Sequence, residues 1–556
     1  MKIRIFLFSI FLIAVSTYAN SLDSVLVGPG VIRYHHIIDS GPWNINIVKI
    51  EIRNPWLKFQ SVKAGNKLMA FEKTSSMAAR NNYEEHKVVA AINGDFYNTS
   101  TGEQIGSQVA NGQLLKATND WLNVAFDVDK NPIMGMQNFS GVIINDDSIK
   151  SVSGVNKVRN TNELILYNSF YGSSTSTNQY GTEVRIMPID SWLVNDTIRC
   201  LVDTVVTGIG NMIIGNNKAV LSGHGISSAF LVNNFFKNDT IKIILNLTPA
   251  LLKLEQLIGG NTWLVQNGIV NPDNGDRHPR TSVGFNADTT EFFMFVVDGR
   301  QPGLSVGMSY KELGDYMKTW GVHNGLNLDG GGSSTMVVRG SIVNSPSDIG
   351  GERSVANSLL LISTAPTGPL EYIRINPNEV YTLGGSNVNF SASGFDQYYN
   401  PVNIASGSLV WSCDPAIGVI NQNGVFTAAL DTTSGYIFAA VGEIKDSALV
   451  HLTKISQISL EPNPVILQPG QSQQMTATAF DNYNNQILLN QTDFQWTVTN
   501  GLGNISVSGY FTASNTGNGE IIAAIDSING SVPLIVGTSA TIMLDDFSDL
   551  SGYTLT

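Results

Sequence analysis

The segment Leu326-Asn327-Leu328-Asp329-Gly330-Gly331-Gly332-Ser333-Ser334-Thr335 places a carboxylate, three successive glycines and three hydroxyls within ten residues. Glycines reach backbone conformations closed to other residues and let a ligand approach main-chain N–H groups closely. Such groups form concave anion-binding nests, and Ser333, Ser334 and Thr335 add donors. Asp329 then stands as a carboxylate at the mouth of the nest. No lysine follows the glycines, so this is not a nucleotide-binding P-loop. A tight turn without a function is the alternative for this segment taken alone.

Two further segments carry matching chemistry. Arg277-His278-Pro279-Arg280-Thr281 sets two guanidinium groups before an apolar run, and Arg suits two-pronged contact with phosphate or carboxylate. Asn93-Gly94-Asp95-Phe96-Tyr97 puts an amide, a carboxylate and aromatic rings after another apolar run. Each alone could be a surface turn. Glu183 and the Ser222-Gly223-His224-Gly225 turn are weaker candidates. No His- or Cys-rich cluster has zinc spacing. A calcium or magnesium ion on Asp95, Asp298 or Asp329 is a candidate, because oxygen ligands suit those cations.

The elements that must hold these residues are mainly strands. The runs Val88 to Ile92, Glu291 to Val297 and Leu326 to Leu328 each stop at an Asp- or Asn-Gly turn. Asn111-Gly112 and Asn267-Gly268 are hairpin signals. One helix is clear: Ser309 and Glu312 form a capping box. Leu313, Tyr316, Met317 and Trp320 then make an apolar stripe, and Gly321 can close the helix. That stripe is expected in the core, where it fixes the strand leading to Asp329.

The rest of the chain bounds the reading. Of its 556 residues 14% are charged, against a norm of about 25%, which fits strand-rich folds with polar loops. A net charge of −13 supplies no basic excess for a nucleic-acid partner. Residues 1–19 read as a signal peptide, with Lys2 and Arg4 before an apolar run too short to span a membrane. No second such run follows, so an exported protein is expected: periplasmic, cell-surface or secreted. Cys200 and Cys413 are not expected to pair.

Residues 363–369 read as a linker. Beyond it Pro377 and Pro462, Asp396 and Asp481, Trp411 and Trp496, and Phe426 and Phe511 recur at one constant offset, which marks an internal repeat. Short alternating runs with one Trp per unit are the pattern of small β-sandwiches. The expected domains are 20–363, 364–454 and 455–537, with 538–556 beginning a further module. The repeats resemble bacterial immunoglobulin-like domains. A spacer or adhesion role suits them, with a cell-surface glycan as a candidate partner.

The segments Asn93-Gly94-Asp95-Phe96-Tyr97, Pro279-Arg280-Thr281, Asp298-Gly299-Arg300, Asn327-Leu328-Asp329-Gly330-Gly331-Gly332-Ser333 and Val355-Ala356-Asn357 occur in the order found in phosphodiester glycosidase domains. The resemblance spans most of residues 80–363. It departs at Asp95, where that family often has a small residue. The strand count and the single clear helix point to an α+β, strand-rich catalytic domain, followed by two all-β immunoglobulin-like sandwiches. The resemblance implies hydrolysis of a sugar-1-phosphodiester or phosphoglycan at the glycosidic bond, for example an N-acetylglucosamine-1-phosphate diester, giving free sugar and a phosphomonoester. On that reading Asp329 is the first choice of catalytic carboxylate and Asp298 the second. Arg280 and the Gly330, Gly331 and Gly332 backbone take the phosphate, with Ser333 beside them. Asn93 and Thr281 position substrate. Arg353 and Asn357, near the domain end, are candidates to close the pocket, with a surface ion pair as the equal alternative for Arg353. The competing reading is a surface protein that binds a phosphosugar without cleaving it.

Overall fold

The computed structural model describes residues 21–248 and 252–537. The expected signal peptide and the module expected at 538–556 lie outside the described residues. With 51% strand and 7% helix, sheets set the architecture and helices only cover their faces. The chain divides into two compact units between Thr367 and Gly368.

In the first unit two sheets pack face to face. One has eight strands, among them Trp43–Glu51, Glu291–Val297, Arg280–Phe285 and Asn324–Asn327 side by side. The other has five, with Lys87–Asn93 between Met336–Val338 and Asn357–Ser363. Successive side chains of a strand point to opposite faces, which explains the unbroken apolar run Phe292 to Val297. Phe292, Met294 and Val296 enter the core between the two sheets, along with Val89, Ile92 and Leu359. Phe293, Phe295 and Val297 face the other way, against Leu313 and Met317 of the helix Tyr310–Thr319. The helix Thr74–Arg80 covers the outer face of the five-stranded sheet in the same manner, through Met77 and Ala78. The order of layers is therefore helix, sheet, sheet, helix.

Local signals place these elements. Ser309 Oγ accepts from the Glu312 N–H at 3.2 Å, while Glu312 Oε2 accepts from the Ser309 N–H at 2.9 Å, completing the capping box. Gly321 ends the helix at φ +83°, a left-handed conformation that favours glycine. Asn111-Gly112 joins Gln108–Ala110 to Gln113–Lys116, and Asn267-Gly268 joins Thr262–Gln266 to Ile269–Val270. A second eight-stranded sheet, edged by Ser148–Val152 and Gly154–Val155, shares a separate core with a five-stranded sheet that includes Leu122–Asp127 and Leu254–Gly260.

The second unit holds two apolar clusters. One contains Trp411 and Phe426, the other Phe511. Asp396 and Asp481 make equivalent bonds: each accepts from the backbone N–H and the side-chain amide four residues on, in Asn400 and Asn485. Trp411 is buried, whereas Trp496 is only partly so. Its indole N–H donates to the Gln491 carbonyl at 3.0 Å, which satisfies the polar edge where the ring meets its loop.

Candidate active site

Three strand ends meet at the site. Asn93 closes Lys87–Asn93, Arg280 opens Arg280–Phe285, and Asp329 follows Asn324–Asn327 by two residues. The strands Arg280–Phe285 and Asn324–Asn327 pair with Ser282 opposite Asn327, so the ladder brings Arg280 and Asp329 to the same sheet end. Gly94 then locks the third strand to the turn: its carbonyl accepts from Asp329 N–H at 2.9 Å, and its own N–H donates to the Asn357 carbonyl at 3.0 Å. A Cβ at Gly94 would lie 2.2 Å from Ile258 Cδ1 and 2.4 Å from Asn357 Oδ1, so a larger residue would have to displace those side chains.

Asp329 borders a cavity of about 250 Å3. Arg280, Arg300, Arg353 and His278 surround it, with Phe96 and Tyr310 as aromatic walls. Burial pushes the Asp329 carboxyl up to about 6, opposed by the Ser333 hydroxyl, Arg353 and the Gly330 N–H. Burial also holds His278 below its ordinary value, helped by the adjacent Arg280 and Arg300, so the ring is neutral at pH 7.

Each cation is held differently. Arg280 donates Nε to the Met308 carbonyl at 2.9 Å and Nη2 to the Asp276 carbonyl at 3.0 Å, and its guanidinium lies 4.2 Å from the Tyr310 ring centroid. Arg353 is clamped by Asp348 at 2.7 and 2.9 Å. Gly332 makes room for that pair, since a Cβ there would lie 2.0 Å from Asp348 Oδ1. Arg300 reaches His278 Nδ1 at 3.4 Å and otherwise faces the cavity mouth. Arg277 is elsewhere, spent on an exposed ion pair with Glu312.

The glycine nest is smaller than the sequence suggests. Gly331, at φ +62°, donates its N–H to the Pro279 carbonyl at 2.9 Å. That bond ties the turn to the arginine segment and removes one of the three N–H groups from ligand binding. Ser333 is buried beside Asp329 and Tyr97, yet its hydroxyl makes no bond of full hydrogen-bonding geometry.

Several expected site residues stand behind the cavity. Asn93 is fully buried: Nδ2 donates to the Asp329 carbonyl at 2.7 Å, while Oδ1 accepts from Thr281 Oγ1 at 2.7 Å and Thr335 N–H at 3.1 Å. Thr281 is equally buried. Asn357 accepts from Asp95 N–H at 2.8 Å and donates to Gln108 at 3.1 Å. These three residues have no polar edge left to meet a substrate and instead hold its neighbours in place.

Asp298 is also turned inward. Its carboxylate accepts from Asn344 Nδ2 and Ser345 N–H at 2.9 and 3.0 Å, and burial pushes it up to about 6 against those bonds. It fastens the loop ahead of Asp348 and does not line the cavity. Asp95 accepts from Gly106 N–H at 2.6 Å and Trp121 Nε1 at 3.2 Å, and burial pushes it up to about 7. Both carboxylates thus spend their oxygens on protein donors and do not converge with Asp329 on a cation. Among the described residues no group of three or more His, Cys, Asp or Glu side chains is placed to hold a metal ion. Glu183 is bonded to Thr177, Ser222 and Met212. Its strand belongs to the second eight-stranded sheet, as does the one that His224 follows.

Residues 196–362 match the family model for phosphodiester glycosidase. The matched span takes in Arg280, Arg300, Asp329, the three glycines and Arg353. An N-acetylglucosamine-1-phosphodiester alpha-N-acetylglucosaminidase of Mus musculus is 28% identical over 112 residues, which is 17% of this chain and 21% of the mouse protein. The chain thus matches about a fifth of that relative's length. A crystal structure of a hypothetical protein from Synechocystis aligns at TM-score 0.47 and 16% identity, covering 62% of this chain and 64% of that one. The catalytic domain of the zebrafish N-acetylglucosamine-1-phosphodiester alpha-N-acetylglucosaminidase, auto-inhibited by its pro-peptide, aligns at TM-score 0.30 and 17% identity, covering 62% and 84%. Among the described residues no helix is long and apolar enough to cross a membrane.

Proposed function

We propose that this chain is an exported hydrolase that cleaves the glycosidic bond of a sugar-1-phosphodiester. The observation that carries the reading is one partly exposed carboxylate, Asp329, in a cavity walled by Arg280, Arg300 and Arg353. Three cations around one anion suit a phosphate, and guanidinium binds phosphate oxygens in pairs. In the reaction water adds its oxygen to the anomeric carbon. The bond from that carbon to the bridging oxygen breaks, and its electron pair leaves with the phosphate as a phosphomonoester.

The arginines neutralise the charge that grows on the departing phosphate, which is the interaction that strengthens toward the transition state. A phosphomonoester is a good leaving group, and neutral His278 holds no acidic proton at pH 7. Asp329 accordingly acts as the carboxylate, stabilising the oxocarbenium-like carbon as nucleophile or as base toward water. Asn93, Thr281 and Asn357 are positioning residues in this account, and Asp298 anchors the loop carrying Asp348. The repeats are read as immunoglobulin-like spacers at 364–454 and 455–537.

The test is incubation of the full chain with a panel of sugar-1-phosphodiesters, quantifying free sugar and phosphomonoester. Equal amounts of both products from at least one member support the reading. Saturable binding of the panel with no turnover would instead make the pocket a phosphosugar receptor.

A further inference from the structure

The second unit contains a cleft of about 650 Å3, larger than the cavity beside Asp329. One wall is Tyr381, Thr432, Thr433 and His451, and the other is the Asp481–Asn485 loop. The walls are fixed to each other. Tyr381 pairs with His451 on one side and with Ile487 on the other, and its carbonyl accepts from Leu488 N–H at 2.7 Å. Thr453 Oγ1 donates across to Asp481 Oδ2 at 3.3 Å. A cleft closed by a backbone ladder is preformed, and its volume falls in the range of roughly 300–1,000 Å3 typical of ligand pockets.

The chemistry of the lining narrows the ligand. Its charged groups are Lys454 and Asp481, which cancel, and Asp481 already accepts from Tyr483 N–H, Asn485 N–H and the Asn485 amide. With one lysine and no guanidinium, the cleft lacks the cluster of cations that a nucleic acid backbone or a two-pronged phosphate contact uses. His451 is bonded through both ring nitrogens, to Ser434 at 2.8 Å and Glu379 at 3.1 Å, and is stacked on Tyr381 with centroids 4.3 Å apart. What remains for a ligand is the ring of Tyr483, 79% exposed, the side chains of Thr432, Thr433 and Asn482, and the single ammonium of Lys454. An aromatic face next to hydroxyls and an amide that both donate and accept complements a pyranose, whose C–H face is apolar and whose rim is hydroxylic.

We propose that this cleft binds a neutral oligosaccharide, independently of the reaction proposed for the first unit. The repeats then hold the hydrolase on a glycan as well as spacing it. The experiment is calorimetric titration of the full chain with chitotriose, mannotriose and maltotriose, repeated with Tyr483→Ala and Asp329→Asn. Tyr483 is exposed enough for its loss to leave the fold intact. The expected result is millimolar or tighter binding of at least one trisaccharide, weakened at least tenfold by Tyr483→Ala and unchanged by Asp329→Asn. Binding of none of the three, binding untouched by Tyr483→Ala, or binding abolished by Asp329→Asn overturns the proposal. The Asp329 variant also separates this site from the pocket of the first unit.

Discussion

The Asn93 side-chain amide donates to the Asp329 carbonyl at 2.7 Å, across 236 residues of sequence. The same side chain accepts from Thr281 and Thr335, so one buried amide joins the three segments that build the pocket. Asn93→Ala leaves three buried polar groups without this partner, each costing about 1–3 kcal/mol. We expect a lower unfolding midpoint in urea and a turnover number reduced at least tenfold, with KM changed less. An Asn93→Ala chain of parental stability and activity contradicts this role.

The arginines should separate by function. Arg300→Ala and Arg353→Ala should lower kcat/KM for a sugar-1-phosphodiester by roughly tenfold or more, mainly through kcat, since a charge-assisted hydrogen bond contributes about 1.5–3 kcal/mol and here strengthens toward the transition state. Arg277→Ala should leave kcat and KM unchanged, because its exposed guanidinium is spent on Glu312, away from the cavity. Steady-state kinetics of the three variants decides the matter.

Much of this was legible in the sequence, and what was not has a physical cause. The capping box at Ser309, the Asn-Gly hairpins and the apolar runs are local signals, and each formed the element it indicated. Asp329 and Arg280 were visible because each adjoins a recognisable strand. Arg300 was harder to place in the pocket wall, because a loop brings it there and loops carry no periodicity, whereas Arg353 was a candidate from its place near the domain end. The inward turn of Asp298 depends on Asn344 and Ser345, and the loss of the Gly331 N–H depends on the Pro279 carbonyl. Both partners are remote in sequence, so no spacing rule reveals them.

The pH dependence follows from Asp329, pushed up to about 6 by burial. Acting as a carboxylate, it should give a kcat/KM that rises as pH increases through about 6 and levels above it. Stability should run the other way. A folded-state value above the ordinary 3.8 means the native state binds the extra proton between those limits. The ionised carboxyl therefore weakens the fold progressively as pH rises from about 4 to 6. Asp329→Asn should gain thermal stability relative to the parent over that window and show no such gain below it. Melting curves at pH 4 and pH 7 check both signs.

Gly332→Ala tests the pocket wall without touching a charge. The added Cβ would overlap Asp348 Oδ1 and Arg353 Nη2, at 2.0 and 2.2 Å, so the pair must part. The expected outcome is a fall in kcat/KM like that of Arg353→Ala, with little further loss when the two changes are combined. Additive effects in this double-mutant cycle would show that Gly332 acts elsewhere.

The central claim is that Asp329 drives cleavage at the anomeric carbon, and single-turnover hydrolysis in 18O-water tests it most directly. Full-length chain and its Asp329→Asn variant would be compared on the best sugar-1-phosphodiester of the panel. The account predicts 18O in the released sugar, none in the phosphomonoester, and a rate lowered by about 10³-fold or more in the variant, as for loss of a catalytic group that acts in the transition state. Label in the phosphate, or a variant that keeps the parental rate, would contradict it.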